Sequence, residues 1–193
     1  MPNASTSFFG WVAFLLQKYG MLFLRGTGMT LLIALTGTEL GFALGLLVAI
    51  IRTIALPEKK KAGSNAGVIV KRGLLRFVHM LMNVYIQVFR GTPMIVQAVV
   101  IYYGAQYAGV FMDTTFAAVF IISINTGAYM AEIIRGGIVS VDKGQFEAAH
   151  AIGMTHWQTM TTVVLPQAIR NILPSVGNEL IVNIKDSSVL NVI

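Results

Sequence analysis

The 193-residue chain has no cysteine. That absence removes disulfide frameworks, thiolate metal sites and thiol catalysis together. Charge is also scarce: 11% of residues are charged, against about 25% in an average soluble domain. So little solvating charge argues against an ordinary cytoplasmic enzyme and against a disordered chain. There is no Gly-Lys dipeptide, hence no phosphate-binding P-loop. His79, His150 and His156 lack His-Glu-x-x-His spacing, and no Gly-x-Ser-x-Gly elbow occurs. Glu147 and His150 make a single Glu-x-x-His, where a di-iron bundle needs a second copy and two further glutamates. What the chain has in quantity is apolar: 55% hydrophobic residues, 19 Gly, 10 Met and a mean hydropathy of +0.72. The apolar residues come in runs too long for a soluble core. The chain reads as an all-α membrane protein, a bundle of about four spans in one domain.

The net charge of +6 sits in one place. Arg52, Lys59, Lys60, Lys61, Lys71, Arg72 and Arg76 face only Glu58 over residues 52–76, in and just after the basic loop at 52–73, and the remaining charges cancel. A short basic loop between spans marks the cytoplasmic side, a better account of the patch than nucleic-acid binding. Residues 1–26, rich in aromatics but broken by Lys18 and Arg25, read as an interfacial helix preceding the first span. They lack the basic start and small-residue cleavage site of a signal peptide.

Residues 27–51 form the clearest span, with Glu39 as its sole charge. Gly37, Gly41 and Gly45 repeat at four-residue steps, a stripe where another helix can approach closely. Residues 74–107 are longer than one straight span needs. Arg90-Gly91-Thr92-Pro93 supplies a break, with Pro93 in the first turn of a new helix and Thr92 as its cap. Residues 115–135 form a further span, in which Glu132 and Arg135 are spaced to pair locally. Residues 167–193 form the last and most polar segment. There Asn171, Ser175, Glu179, Asn183 and Ser187 fall on one helical face, which must turn away from lipid, toward other helices or a water-filled passage. Counting crossings puts the N-terminus outside and the basic loop inside.

Residues 136–166 are soluble in character and lie on the cytoplasmic side. A short helix ends at Gly153, and Thr155 to Gln158 has capping-box spacing for a second helix ending near Leu165-Pro166. Two short helices projecting beneath a membrane protein imply a cytoplasmic partner, with Phe146, Met154 and Trp157 available to fill a groove on it.

Glu147-Ala148-Ala149, then Gly153, Val163 and Leu165-Pro166, resembles the EAA loop of ABC importer permeases, with Val163 where the loop usually has Ile. "RGTPMIVQ" at Arg90 to Gln97, "AYMAEIIRGGI" at Ala128 to Ile138, "VLPQAIRNILP" at Val164 to Pro174 and "NELIVNIKDSSVL" at Asn178 to Leu190 narrow the resemblance to the polar amino acid permeases. The resemblance implies an inner-membrane subunit of a prokaryote that carries a polar or charged amino acid inward. It implies two ATPase subunits binding ATP and Mg, a second identical or homologous permease subunit, an external binding protein and surrounding lipid. No cofactor is expected on this chain. It further implies that Phe146, Glu147, Ala148, Ala149, Gly153, Met154 and Trp157 couple to the ATPase. Family members usually carry a fifth span after "KDSSVL", so the chain is expected either to be a truncated or incompletely observed permease or to close its bundle with fewer helices. From depth and helical face, Glu39, Asn125, Glu179, Asn183 and Asp186 are the candidates for the substrate path. Two other readings stand beside this one: an ion-driven transporter or channel, suggested by the broken helix at Arg90, and an intramembrane enzyme built on Ser123 and the histidines.

Overall fold

The computed structural model describes residues 7–54 and 66–193. The first six residues and the middle of the basic loop, including Glu58 and Lys59 to Lys61, lie outside the described residues. All the regular structure described is helical. Helix α1 (Phe8–Thr53) opens on Ser7, whose hydroxyl accepts from the Gly10 amide at 3.3 Å. It is one unbroken helix of 46 residues, roughly 70 Å at 1.5 Å per residue. No boundary therefore separates the expected interfacial segment from the first span. Gly26, Thr27 and Gly28 continue the helix, since an isolated glycine costs only about 1 kcal/mol, less than closing one helix and nucleating another. Only the second half of α1 is covered by the rest of the chain; Phe8 and Phe9 are more than 70% exposed.

Helix α2 (Ala66–Gly91) begins eight residues earlier than expected and carries Lys71 and Arg72 within it. Helix α3 (Met94–Tyr107) follows at a bend of 112°. The expected break is present, but its caps are exchanged. Pro93 is the N-cap of α3, in extended geometry (φ −61°, ψ 139°), while the Thr92 hydroxyl donates back to the Val88 carbonyl at 2.8 Å and closes α2. Helix α4 (Thr114–Val139) starts on Asp113, which accepts from the amides of Thr115 and Phe116, and runs four residues past the expected end through Gly136-Gly137.

Helix α4 is the centre of the bundle. Its most extensive contact is with α1, along the glycine stripe. A Cβ at Gly37 would lie 2.5 Å from Ile122 Cγ2, one at Gly41 2.6 Å from Thr126 Cβ, and one at Gly45 against Met130 Cβ. The small residues bring the two backbones together, as small-residue stripes do in membranes. Elsewhere α4 packs Ala117, Ala118, Ile121 and Ile122 against Ala98 and Tyr102 of α3, and Ala128 and Ala131 against Val48 and Ile86. At its far end Glu132 binds Arg135, as its spacing suggested, and also binds Arg52 at the end of α1.

Helix α5 (Lys143–Ala151) is the short helix of the EAA loop, and α6 (His156–Gln158) opens on the expected capping box, with Thr155 and Gln158 bonded reciprocally. The second helix does not stop at Leu165-Pro166. It widens into a π turn over Thr159–Val164 and continues as α7 (Leu165–Asp186), with a final 3-10 turn at Val189–Val192. Proline lacks an amide and clashes with the carbonyl four residues back; the wider turn lets the helix pass Pro166 uninterrupted. Among the described residues two helices, α1 and α4, are long and apolar enough to span a bilayer, or three if the bent α2–α3 pair counts as one. Helix α7, the expected fourth, is too polar to qualify.

Candidate functional site

Two places carry the chemistry, and the first is α5. Asp142 caps it, its carboxylate accepting from the Gly144 amide at 2.6 Å. At the other end the Met154 amide bonds to the Ala149 carbonyl and the Gly153 amide to that of His150. This closing motif needs a left-handed residue, which Gly153 supplies at φ +82°. Val141, Val164 and Ala168 form a small apolar platform that receives Phe146, together with Ile138 and Met160. Phe146 and the buried Ala149 therefore fasten α5 to the body of the protein, and Met154 is half-buried. The outward residues are Glu147, Ala148, Gly153 and Trp157. Ile152, absent from the residues read from sequence, is 79% exposed beside them. Its signal was available: it lies one turn beyond Ala148 on the same face, an apolar side chain with no cover.

The second place is the polar interior around the α2–α3 elbow. Asn125 on α4 is buried and reaches into the break, donating to the Phe89 carbonyl at 3.2 Å and to Gln97 Oε1 at 2.9 Å. Gln97, buried in the first turn of α3, was not singled out from sequence; nothing local distinguishes it from an ordinary helix-start glutamine. Arg90, at the end of α2, stands with its guanidinium 5.3 Å over the ring of Tyr129.

Across from the elbow, α7 presents Glu179, which is buried, and Asp186, which is half-buried. Asp186 and the exposed Arg90 lie within electrostatic reach of Glu179. Asn183, only 1% exposed, donates to the Thr38 hydroxyl of α1 at 2.8 Å and lies 3.0 Å from the Thr126 hydroxyl of α4. Its amide is thus held within the chain, joining three helices. The same face of α7 nearer its start is open: Asn171 and Ser175 are exposed, and Asn171 donates to Ser140 Oγ at 2.9 Å. Glu39 stands apart. It is exposed on α1 at the edge of an apolar groove formed with Phe42, Ile169, Ile172, Leu173 and Val176. The structure therefore gathers Arg90, Glu179 and Asp186, uses Asn125 and Asn183 between helices, and leaves Glu39 outside that group.

Residues 63–193 match the family described as binding-protein-dependent transport system inner membrane component. The glutamine transport system permease protein GlnP of Escherichia coli strain K12 is 39% identical over 174 residues, covering 89% of this chain and 71% of that protein. A crystal structure of an amino acid ABC transporter with histidines superposes with a TM-score of 0.80 at 37% identity, covering 97% of this chain and 77% of the other. The MetNI methionine ABC transporter, in an inward-facing conformation, shares the fold with a TM-score of 0.63 at 22% identity, over 88% of this chain and 74% of that one. The chain belongs to the family of binding-protein-dependent transport system inner membrane components, as the membrane permease subunit of an ABC importer, a role that implies ATPase partners and a second permease subunit.

Proposed function

We propose that this permease carries a polar amino acid into the cytoplasm, handed over by an external binding protein and driven by separate ATPase subunits that hold the ATP and Mg. The observation that carries the reading is the carboxylate of Glu179, buried on α7, with Asp186 half-buried on the same helix and Arg90 exposed at the elbow, both within electrostatic reach of it. Ionisable groups at membrane depth are costly and are kept where a polar solute passes. An amino acid brings an ammonium and a carboxylate at once. Glu179 and Asp186 offer the acceptors for the first and Arg90 the donors for the second, while Asn125 and Asn183 fix the helices that frame them and Glu39, apart from this group on α1, is available for a cationic side chain. The names of the relatives, a glutamine permease and an amino acid transporter, point the same way.

On the cytoplasmic side, Glu147, Ala148, Ile152 and Trp157 form the surface that enters the ATPase. Phe146 and Ala149 transmit its movement to the platform beneath. The N-terminus lies outside, lipid surrounds α1 along its uncovered half, and nucleotide exchange on the partner swings the bundle between its two openings.

The test is ATP hydrolysis by the complex reconstituted in vesicles with its binding protein, across a panel of amino acids. At least one polar amino acid is expected to raise the rate, and Glu179→Gln to remove most of the stimulation. Equal rates with and without every amino acid would overturn the substrate reading. Because the chain has no native cysteine, Ala148→Cys can be cross-linked selectively to a cysteine on the ATPase. Uptake that continues without any ATPase would favour an ion-driven transporter instead.

A further inference from the structure

Pro93 removes one donor from the backbone ladder of α2. In an unbroken helix the amide at position 93 would serve the carbonyl of Phe89, four residues back; proline has none to give. A carbonyl left bare at membrane depth is costly, and irregular backbone there persists only when protein or water satisfies it. Here two buried side chains do so. Gln97 Nε2 lies 2.9 Å from the Phe89 carbonyl and Asn125 Nδ2 lies 3.2 Å from it. The same Gln97 nitrogen also reaches the Thr92 carbonyl at 2.9 Å and the Thr92 hydroxyl at 2.8 Å, while Gln97 Oε1 accepts from Asn125. One amide of α3 and one of α4 thus close the gap in α2, and each is less than 10% exposed.

The residue after Phe89 is Arg90, held over Tyr129. Tyr129 is one turn beyond Asn125 on α4, so the face of α4 that grips Phe89 also seats Arg90. We infer that Gln97, acting through Asn125, fixes the α2–α3 elbow as a rigid strut and thereby sets where Arg90 stands opposite Glu179, which makes Gln97 a positioning residue of the transport step. The inference rests on the proposed role of Arg90 in the substrate path. Gln97 itself touches no solute; it works by holding the elbow at one angle.

The experiment has two arms on the reconstituted complex. Spin labels on Met80→Cys in α2 and Val100→Cys in α3, both exposed positions, report the elbow angle. The unsubstituted elbow is expected to give one narrow distance, the same with and without ATP. Gln97→Met, which removes both N–H donors and the Oε1 acceptor, is expected to broaden it at least twofold. Gln97→Glu, which keeps only the oxygen that Asn125 addresses, is expected to fall between. A broad distance in the parent, one that moves with ATP, or no change in Gln97→Met, overturns the strut.

The second arm reads the amino-acid concentration that half-stimulates ATP hydrolysis. Gln97→Met is expected to raise it about tenfold, with basal hydrolysis unchanged, a split that loss of assembly alone would not produce. A broadened elbow with an unmoved half-stimulation point overturns the link to Arg90. If no amino acid stimulates the parent complex, the substrate reading fails while the distance arm still decides the strut. Should Gln97→Met not assemble, Gln97→Glu serves in both arms.

Discussion

Helix α4 is held by two seams built in opposite ways. Against α1 the seam consists of what has been removed: three glycines let the backbones meet, and a Cβ at Gly45 would sit 2.9 Å from both the Ala131 amide and the Gly127 carbonyl. Against α7 it consists of what has been added: Asn183 hydrogen-bonds to Thr38 and Thr126 at the junction of three helices. Lipid is as apolar as leucine, so burial alone does not drive helices together; close dispersion contact and hydrogen bonds remain. The first is intolerant, because backbone atoms cannot step aside. The second is more forgiving, because polar groups find other partners.

Substitutions can break or sharpen that contrast. The largest effect is expected from Gly45→Leu, at about 3 kcal/mol or more from overpacking against fixed backbone. It should appear as loss of monodisperse protein on detergent extraction, while Gly20→Leu, with nothing within 4 Å of its Cβ position, extracts normally. If the two behave alike, the seam is not close-packed. Asn183→Leu comes next, at about 1–2 kcal/mol, read as a lowered Tm, with Thr38→Val adding little on top because the two share one network. An Asn183→Leu as damaging as Gly45→Leu would erase the distinction.

Glu132→Gln is expected to cost about 1 kcal/mol, since the Arg135 link is exposed, the Arg52 link is only part-buried, and the amide can still accept from one of them. Comparing the Tm of parent and variant in low and high salt should show the difference shrinking as salt rises. Last is Gly104→Ala, in α3 with open space around it. It should shift Tm by no more than a degree or two, upward if at all, because alanine favours the helix.

The same contrast explains what the sequence discloses. The glycine stripe is legible because its spacing is the helical repeat itself, and the elbow is legible because Pro93 forbids continuation. Which residue caps which helix was not, since the Thr92 hydroxyl turns back to the Val88 carbonyl rather than forward into α3, and the side chains that close the elbow, Gln97 and Asn125, arrive from later in the chain. The unbroken α1 was hidden by Lys18, Arg25 and two glycines, each a weak local objection outweighed by the cost of stopping. The passage through Leu165-Pro166 was hidden because proline reads as a stop in a regular helix, and only a wider turn evades it. On α5, spacing found the element. Only the platform of Val141, Val164 and Ala168 reveals that Phe146 faces inward while Ile152 faces out.

The π turn at Thr159–Val164 has a consequence for phase. Such a turn takes in one residue more than the regular helix uses, and each residue advances a helix by about 100°. Everything downstream, Ala168, Glu179 and Asn183 included, is therefore rotated by that amount relative to the short helix α6 that precedes the turn. Deleting a single residue there would restore a regular helix and turn Asn183 away from Thr38 and Thr126, silencing the permease with every hydrogen-bonding group still in the sequence.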